Sequence, residues 1–413
     1  RKQTNPGGFS YYKYLKKNGV YSIGYLNGEI FSIGKKNGFI TRIVKLKKHL
    51  LLLIDKNLIY PYREIIKALL FGERENLPSS WEENFAAAGA NHLLAISGLH
   101  IGFIMLILLK VFDLINIFPE WFKKVLVTVI LLIYIVLTGF RSSVFRAGLL
   151  SILCIWAQIF NREPDLFNIL SLAAMINLLI NPYVLFTVSF QLTYIVLLMI
   201  LLLQKNIENL TGKLLSVSIA AQLGSLPIVA YYFNIISPVG IITNIWAVPL
   251  IGFIVLISFL GIFVGAICPP FCYLIFAGLK YILKFLKSGI FITAKLPLGH
   301  FEIASPSVYI IFSLYIIIFI LPIFLKPKAI PINKRKFKLK RSTGIIFILL
   351  IMLIINLLPS DHNLNIIFFD VGQGDCILLR LPTDHNILID GGGKLGNSDY
   401  GKKVLLPYLK KKG

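Results

Sequence analysis

Two imidazoles and a hydroxyl lie inside an apolar stretch of this sequence. His92, Ser97 and His100 fall within NHLLAISGLHIGFIMLILL, residues 91–109. Ser97 and His100 are three residues apart, so on a helix they are neighbours and form the start of a nucleophile–base pair. However, the sequence offers no nearby carboxylate to orient the imidazole and no GxSxG turn, which disfavours a hydrolase. On one continuous helix, His92 and His100 would lie about 12 Å apart along the axis, too far to share a metal.

Two other roles fit this stretch, and the sequence leaves both open. Ionisable residues within a membrane segment are costly and usually face an interior pathway, which favours a polar path along one side of the helix. Alternatively, Gly98 and Gly102 form a GxxxG face that lets two helices approach closely. In that case Ser97 bonds to its own helix and the stretch serves packing.

Other polar residues near the ends of apolar segments are candidates for the same path. Arg141 and Arg146 suit bidentate contacts with phosphate groups, although interfacial arginines also place their charge at the membrane surface. Gln191, Gln222 and Asn244 fit either a path or hydrogen bonds between helices. The candidate path residues are therefore His92, Ser97, His100, Arg141, Arg146, Gln191, Gln222 and Asn244.

Composition identifies the elements that position these residues. A mean hydropathy of +0.77 with 56% hydrophobic residues predicts a polytopic α-helical membrane protein. About eight to ten spanning or re-entrant helices are expected. Pro249 could divide residues 238–267 into two half-helices, and residues 144–180 could be re-entrant. The predicted spans are 93–114, 122–140, 144–160, 166–180, 183–204, 212–232, 238–267, 271–291, 306–325 and 344–358.

The N-terminal segment is polar, basic and aromatic. Residues 1–48 contain eleven Lys or Arg and one acid, and the pairs Asn27-Gly28 and Asn37-Gly38 predict hairpin turns in a small β domain. Interleaved cations and aromatics suit single-stranded nucleic acid, although the aromatics could instead form the core of the domain. The candidate contacts are Lys13, Lys16, Lys17, Lys35, Lys36, Tyr11, Tyr12 and Tyr14. Residues 49–90 follow as an amphipathic connector that contains the polar loop GERENLPSSWEENF.

The last segment, residues 361–413, begins a soluble α/β domain. Short strands are predicted at 366–370, 376–380 and 387–390, as in the opening sheet of an αββα sandwich. Two turns follow strands and end in Asp and Gly; their motif residues are Asp370, Gly374, Asp375, Asp390 and Gly391. A dinucleotide fingerprint is excluded because the third Gly is missing and a strand, not a helix, follows.

Charge placement predicts the sidedness of the chain. Residues 326–341 contain eight basic residues and no acid, which favours a cytosolic loop. A helix at 344–358 would then lead outward, so the domain from residue 361 would be extracytoplasmic. An external domain, a polar-lined bundle and a basic aromatic segment together indicate the handling of an acidic polymer. No GxxxxGK[ST] motif is present, so a motor would be a separate protein.

Several motifs, in order along nearly the whole chain, resemble those of the ComEC family of DNA-uptake proteins. They are NPGGFSYYKYLKKNGV (5–20), HLLAISGLH (92–100), RSSVFRAGLL (141–150), NPYVLFTVSFQLTY (181–194), AQLGSLPIVAYYF (221–233), NIWAVPL (244–250) and FFDVGQGDCILLRLP with NILIDGGG (368–393). The resemblance implies a multi-pass plasma-membrane channel (91–360) that admits single-stranded DNA during transformation. It also implies an N-terminal OB-like domain, an external metallo-β-lactamase-like domain, a cytosolic ATP-driven translocase and an outer DNA receptor.

The resemblance also sets expectations about catalysis. The family's His/Asp metal motif would lie beyond residue 413, and Cys376 stands where the family usually has Ser. We therefore expect no catalytic residue, no bound metal and no other cofactor within residues 1–413, with a divalent metal restricted to a later part of the domain. The alternative function is a small-solute secondary transporter, or a membrane-embedded enzyme, with an accessory external domain.

Overall fold

A computed structural model describes residues 5–6, 10–17, 20–25, 27–28, 38–115, 117–297, 299–325, 363–383, 385–395 and 398–412. The chain divides into two compact units. The larger unit comprises Ile30–Gly224 and Ser237–Phe301, and the smaller comprises Arg1–Glu29, Ser225–Ile236 and Glu302–Gly413. The predicted span at 344–358 and the basic stretch at 326–341 lie outside the described residues.

The larger unit is helical. Short 3-10 turns cover Asn91–Leu93 and Pro182–Phe186. The helix α10 (Lys213–Phe233) is divided between the units: its residues up to Gly224 belong to the larger unit and those from Ser225 belong to the smaller one. The other helices of the unit are α2 (Phe39–Asn57), α3 (Tyr62–Phe71), α4 (Ser79–Ala87), α5 (Gly98–Ile115), α6 (Glu120–Leu137), α7 (Ser142–Ile159), α8 (Leu166–Ile180), α9 (Val188–Thr211), α11 (Gly240–Ile267) and α12 (Pro269–Ala294).

The N-terminal β prediction is wrong where the structure describes the chain. Tyr11–Lys17 forms the helix α1, and the described residues before position 58 include no strand. Helix α2 begins directly after Gly38, so a helix and not a strand follows the hairpin turn predicted there. Ile43 and Ile54 are buried eleven residues apart, a helical spacing that places both on one face. Tertiary burial of this face overrides the β propensity of Ile and Val.

The predicted connector at 49–90 is helical on both sides of Pro61, as expected, but its bounds differ from those in the structure. Its start falls inside α2, and the second half of its polar loop forms α4. Trp81 and Phe85, four residues apart, are buried on one side of α4, with their rings stacked at 6.1 Å. Burial of this pair explains why a segment with three carboxylates nearby is helical.

Four of the described helices are long and apolar enough to cross a membrane: Ser142–Ile159, Val188–Asn209, Leu215–Phe233 and Gly240–Gly265. Two shorter apolar helices cover Leu166–Ile180 and Val308–Phe319. The prediction that Pro249 splits its segment is wrong, because α11 continues through it. A proline can remain inside an apolar helix when neighbouring groups satisfy the freed backbone carbonyl. The larger total of eight to ten crossings stays a prediction.

The smaller unit contains short strands and helices. Strands β3 (Asn365–Phe368), β4 (Ile377–Arg380) and β5 (Asn386–Ile389) form an antiparallel sheet in that order. Ile366 is paired with Leu379, and Leu378 with Leu388, which confirms the three predicted strands. The remaining elements are β1 (Ile235–Ile236), β2 (Phe301–Glu302, which begins at the division), α13 (Val308–Leu325), β6 (Lys394–Leu395), β7 (Ser398–Asp399), a π-turn (Gly401–Leu405) and α14 (Leu406–Lys412).

One asparagine joins distant segments within the smaller unit. Asn234, with a φ of 59°, lies just after α10. Its Nδ2 donates to the carbonyl oxygen of Ile303 (3.1 Å), to Ser305 Oγ (3.0 Å) and to the carbonyl oxygen of Lys410 (2.7 Å). Ser305 adds a backbone bond to the same Lys410 carbonyl at 2.8 Å. Three pieces of chain therefore meet at one side-chain amide.

Candidate functional site

The His100 imidazole is completely buried at the start of α5. The Ser97 backbone N–H donates to its Nδ1 at 3.0 Å, and Ser97 Oγ lies 2.9 Å from the same nitrogen. A backbone amide can only donate, so Nδ1 accepts and the neutral ring carries its hydrogen on Nε2. Nε2 is buried and has no hydrogen-bond partner among the described residues. The ring therefore presents one unused donor inside the protein.

His92 and His100 do not lie on one helix. Asn91–Leu93 is a 3-10 turn, and α5 begins only at Gly98. His92 is exposed, in contrast to His100. The spacing expected along one continuous helix therefore does not apply to the two histidines. The sequence signal for the break was the small-residue pair Ser97-Gly98 inside the apolar run.

The start of α7 packs against this bend. Ser143 Oγ donates to the Ile96 carbonyl oxygen at 2.8 Å. A Cβ added at Gly98 would meet Ala147 Cβ at 3.5 Å, an ordinary van der Waals contact. At Gly102 an added Cβ would meet no described atom within 4 Å, so the predicted close packing at this glycine has no described helix as its partner and stays a prediction. The GxxxG spacing identifies a face but not whether a neighbour lies against it.

The close helix approach occurs elsewhere, at Gly89 and Gly240. A Cβ on Gly89, which has a φ of +68°, would lie 2.7 Å from Gly240 Cα. Gln222 lies at the same crossing, where its Nε2 donates to the Ser237 carbonyl oxygen at 3.2 Å. Gln222 Oε1 would be 3.6 Å from a Cβ on Gly240. Gln222 therefore holds a helix crossing together, and sequence reasoning missed both glycines because they lie 151 positions apart.

Arg146 is almost completely buried between α7 and α9. Its Nε donates to Thr193 Oγ1 at 3.2 Å, its Nη1 to Ser142 Oγ, and its Nη2 to the Ser189 carbonyl oxygen at 3.0 Å and to Ser189 Oγ. All three guanidinium nitrogens thus bond to the protein itself. The contact joins two of the four apolar helices of spanning length.

The side-chain amide of Gln191 makes a local hydrogen bond. Its Nε2 donates to the Leu185 carbonyl oxygen at 3.2 Å, closing the 3-10 turn before α9. Ser189 and Thr193, two residues to either side, face Arg146. Because residues two apart on a helix point in different directions, Gln191 does not share that face.

Arg141 and Arg74 lie together at the end of α3. Gly72 ends that helix with a φ of +73°, and a Cβ placed there would collide with Arg141 Nε. Arg74 Nε donates to the Leu94 carbonyl oxygen at 3.2 Å, and its buried Nη2 has no partner among the residues described. Burial lowers the Arg74 pKa; Glu82 raises it and Arg141 lowers it. Sequence reasoning overlooked Arg74, which lies in a polar loop.

Asn244 is another residue with an unused buried atom. Its Oδ1 lacks a hydrogen-bond partner within the described part of the chain. Asn244 lies on the α11 face that carries Gly240 and Gly252, and Gly252 contacts Phe103 of α5. The only other such atom there is Asp55 Oδ1, which lies 2.6 Å from Lys67 Nζ and is ion-paired. Unused buried polar atoms therefore concentrate at Arg74, His100 and Asn244.

The predicted N-terminal contacts are described only in part. Tyr11, Tyr12, Tyr14 and Lys16 are exposed along α1, and the rings of Tyr11 and Tyr14 stack at 6.4 Å with an interplanar angle of 17°. The side chains of Lys13 and Lys17, and the whole of Lys35 and Lys36, lie outside the described residues. Exposed aromatics beside a cation keep the nucleic-acid hypothesis open, and no observation here tests it.

The two Asp/Gly turns of the smaller unit bond to themselves. Asp370 Oδ1 accepts from the Gly372 amide at 3.4 Å, and Asp390 Oδ1 accepts from the Gly391 and Gly392 amides. A Cβ on Gly374 would lie 3.5 Å from the Gly392 carbonyl oxygen, so the turns are adjacent. Burial, and then Asp390, raises the pKa of the Cys376 thiol.

Asp375 is exposed beside these turns. Within the described residues, no three His, Cys, Asp or Glu side chains are grouped closely enough to hold a metal. The carboxylates instead fix the backbone of the turns, and we derive no metal-dependent step from them.

Comparison with known proteins gives a consistent set of relatives. The chain is 28% identical to ComE operon protein 3 of Bacillus subtilis over 99% of this chain and 54% of that protein. It is 31% identical to an uncharacterized protein of Aquifex aeolicus over 50% of this chain and 49% of that one. It is also 31% identical to Recombination protein 2 of Haemophilus influenzae, over 31% of this chain and 17% of that protein.

The chain spans about half the length of the first two of these relatives. No solved structure matches it. The model of one family, described as competence protein, matches residues 69–328, which contain Arg74, the His92–His100 bend, Arg146 and Asn244. The match covers more than half of the chain, and four helices are apolar and of spanning length. The chain is therefore a membrane protein that belongs to the competence protein family.

Proposed function

We propose that the larger unit forms the membrane path through which single-stranded DNA enters the cytoplasm during competence. The observation that carries the proposal is the His100 ring: completely buried, fixed through Nδ1 by Ser97, and with a donor on Nε2 that no described residue uses. A buried donor without a partner is costly unless a ligand or water accepts its hydrogen bond. Phosphate oxygens of a passing strand are suitable acceptors.

This path requires no covalent chemistry in residues 1–413. Ser97 and His100 lie within hydrogen-bond distance, but no described carboxylate bonds to the imidazole, so a complete triad is not supported. Weak and repeated contacts suit a strand that must keep moving. A cytosolic ATP-driven translocase would supply the work, and an outer DNA receptor would supply the strand. We infer both from the family alone.

The proposal includes a sidedness. The chain would be multi-pass in the plasma membrane, with residues 326–341 in the cytosol and the Asp370–Gly393 segment outside. A membrane-impermeant thiol reagent on intact cells tests this in a background without the native cysteines. Ser398→Cys should be labelled from outside and Ser342→Cys only after permeabilisation. The reverse pattern would show that the assigned orientation is inverted.

The path itself is tested by His100→Leu in the full-length protein. Leu keeps the bulk of the ring and removes its donor, so DNA entry should fall about tenfold or more while protein abundance stays normal. His300→Leu is the matched control, because that imidazole is exposed. The measurements are transformation frequency, entry of labelled DNA and membrane-inserted protein level. Normal DNA entry with His100→Leu would remove the observation on which the proposal rests.

A secondary transporter would give a different result. A small-solute path would bind no long polymer, so purified protein should not retain an oligothymidylate. DNA binding driven by phosphate contacts instead falls steeply with salt.

A further inference from the structure

Arg74 and Arg141 are two neighbouring cations without an ion-pair partner among the described residues. Arg74 keeps its Nε on the Leu94 carbonyl oxygen, while Nη2 is buried with no described partner. No carboxylate within the described residues forms an ion pair with either arginine; Glu82 acts on Arg74 only electrostatically. Two cations thus lie near one another, and the buried Arg74 Nη2 donor has no described hydrogen-bond partner.

The surrounding backbone holds both side chains in place. Gly72 leaves room for the Arg141 guanidinium directly over the end of α3, where any Cβ would collide with it. The Leu94 carbonyl fixes Arg74 against the bend that carries His92 and Ser97. Like charges repel, so holding two guanidinium groups together costs free energy that an anion between them would recover.

The start of α7 adds to the same potential. Arg141 is the residue before α7, and its side chain does not cap the first amides of that 18-residue helix. The amides at a helix N-terminus carry partial positive charge and favour phosphate. This end of α7 lies against the bend, as the Ser143 bond to Ile96 shows.

We propose that Arg74 and Arg141 form a phosphate-binding site that takes one phosphodiester group of single-stranded DNA. The assignment to DNA rests on the proposed function. Leu70, Phe71, Leu93 and Leu94 are almost completely buried and close the inner side of the site, whereas Arg74 is partly buried and Arg141 is exposed. The site is therefore open on one side, and the comparison with anionic lipid in the test below distinguishes a lipid phosphate from DNA. Planar guanidinium groups suit the paired oxygens of a phosphodiester.

The test measures binding of a fluorescent oligothymidylate to the full-length protein in detergent across a salt series. Arg74→Gln should weaken binding about tenfold and reduce the slope of log K against log salt by about 0.7, the value for one contact on a single strand. Arg74→Lys should keep the slope but not the full affinity. Lysine keeps the charge but lacks the planar guanidinium group, which can make two parallel hydrogen bonds. Arg162→Gln, an exposed arginine just beyond the other end of α7, is the control and should change neither.

A double-mutant cycle tests whether the two arginines hold the same phosphate. Arg141→Gln alone should resemble Arg74→Gln, and the double variant should lose less affinity than the sum of the two. Full additivity would overturn a shared site. Thermal unfolding of each variant, compared with the wild type, confirms that the protein remains folded.

Separate outcomes distinguish this inference from the proposed function. Wild-type binding of DNA with an unchanged Arg74→Gln variant would overturn the site and leave the path intact. If wild type binds no DNA but inorganic phosphate raises its Tm through Arg74, the site is real and its assignment to DNA is wrong. If Arg74→Gln matters only in nanodiscs with anionic lipid, the ligand is a headgroup and the proposal fails. No response to DNA or phosphate would overturn both.

Discussion

Two arginines in the larger unit, the buried Arg146 and the partly buried Arg74, have opposite surroundings. Arg146 lies between α7 and α9, where two serines and a threonine supply acceptors for all three of its nitrogens. Arg74 lies in the loop after α3, bonds through Nε to one carbonyl, and leaves its Nη2 without a described partner. Both residues are cations, but only Arg74 is bonded to the His92–His100 bend and has an unused donor.

The difference separates a structural cation from one available to a ligand. A buried charge with all its nitrogens bonded stabilises the contact that surrounds it, and removing the charge leaves its partners unsatisfied. A buried donor without a partner contributes little to the fold and is free to bind something else. Burial alone does not distinguish these roles; the distribution of hydrogen bonds does.

The largest expected effect is at Arg146. Arg146→Gln should destabilise the protein by about 2–4 kcal/mol, because several buried bonds to a charged group are lost together. Membrane-inserted protein and the Tm in detergent should both fall clearly. Arg74→Gln is the comparison and should leave both near the wild-type values. Equal loss of stability in the two variants would remove the distinction drawn here.

A second test concerns the backbone approach beside this site. Gly89→Ala should cost more than about 2 kcal/mol, since it combines a left-handed backbone with a collision against Gly240. Gly102→Ala, on the face of α5 that meets no described atom, should be neutral or slightly stabilising. For both variants, the DNA binding that the protein retains after heating is a simple measurement. Loss of protein with Gly102→Ala would support the close-packing role that stays a prediction for this glycine.

A third, smaller effect is expected at Asn244. Asn244→Leu removes the unused buried Oδ1, so the free energy of unfolding should change by less than about 1 kcal/mol or increase slightly. DNA entry should nevertheless fall if this amide lies on the path with His100. A variant that unfolds would place Asn244 with Arg146 among the residues that hold helices together.

The smallest effect is expected at Gln191, whose side-chain amide closes a local turn. Gln191→Leu should change stability by about 1 kcal/mol or less and leave DNA entry unchanged. Transformation frequency normalised to protein level is sufficient to measure it. A severe loss of entry at normal abundance would return Gln191 to the path from which its geometry separates it.

Sequence reasoning was most successful where one physical signal dominates. Long apolar stretches predicted the helices α7, α9, α10 and α11, and short β-branched runs between glycines predicted β3, β4 and β5. It was wrong in residues 39–48, where Ile and Val suggested strands but burial of the face that carries Ile43 formed a helix. Pro249 misled because an apolar helix can accommodate a proline that a soluble helix would not.

The site was only partly accessible from the sequence. The unusual polarity of His92, Ser97 and His100 was visible, since ionisable groups stand out in an apolar run. The hydrogen bonds that each group makes were not visible, because two of the three partner residues of Arg146 lie 43 and 47 residues away, on α9. Arg74 was hidden for the opposite reason: among Glu73, Glu75 and Asn76 it resembles an ordinary solvated charge.

The three-way bond at Asn234 has a consequence for the order in which the protein is made. Its amide meets the carbonyl of Ile303 and that of Lys410, which follow it by 69 and 176 residues. Translation at roughly 5–20 residues per second separates the synthesis of Asn234 and Lys410 by about 10–35 s. During that interval the end of α10 has emerged from the ribosome without its last partner. The smaller unit is thus completed in stages, and its final hydrogen bond awaits the last segment of the chain described here.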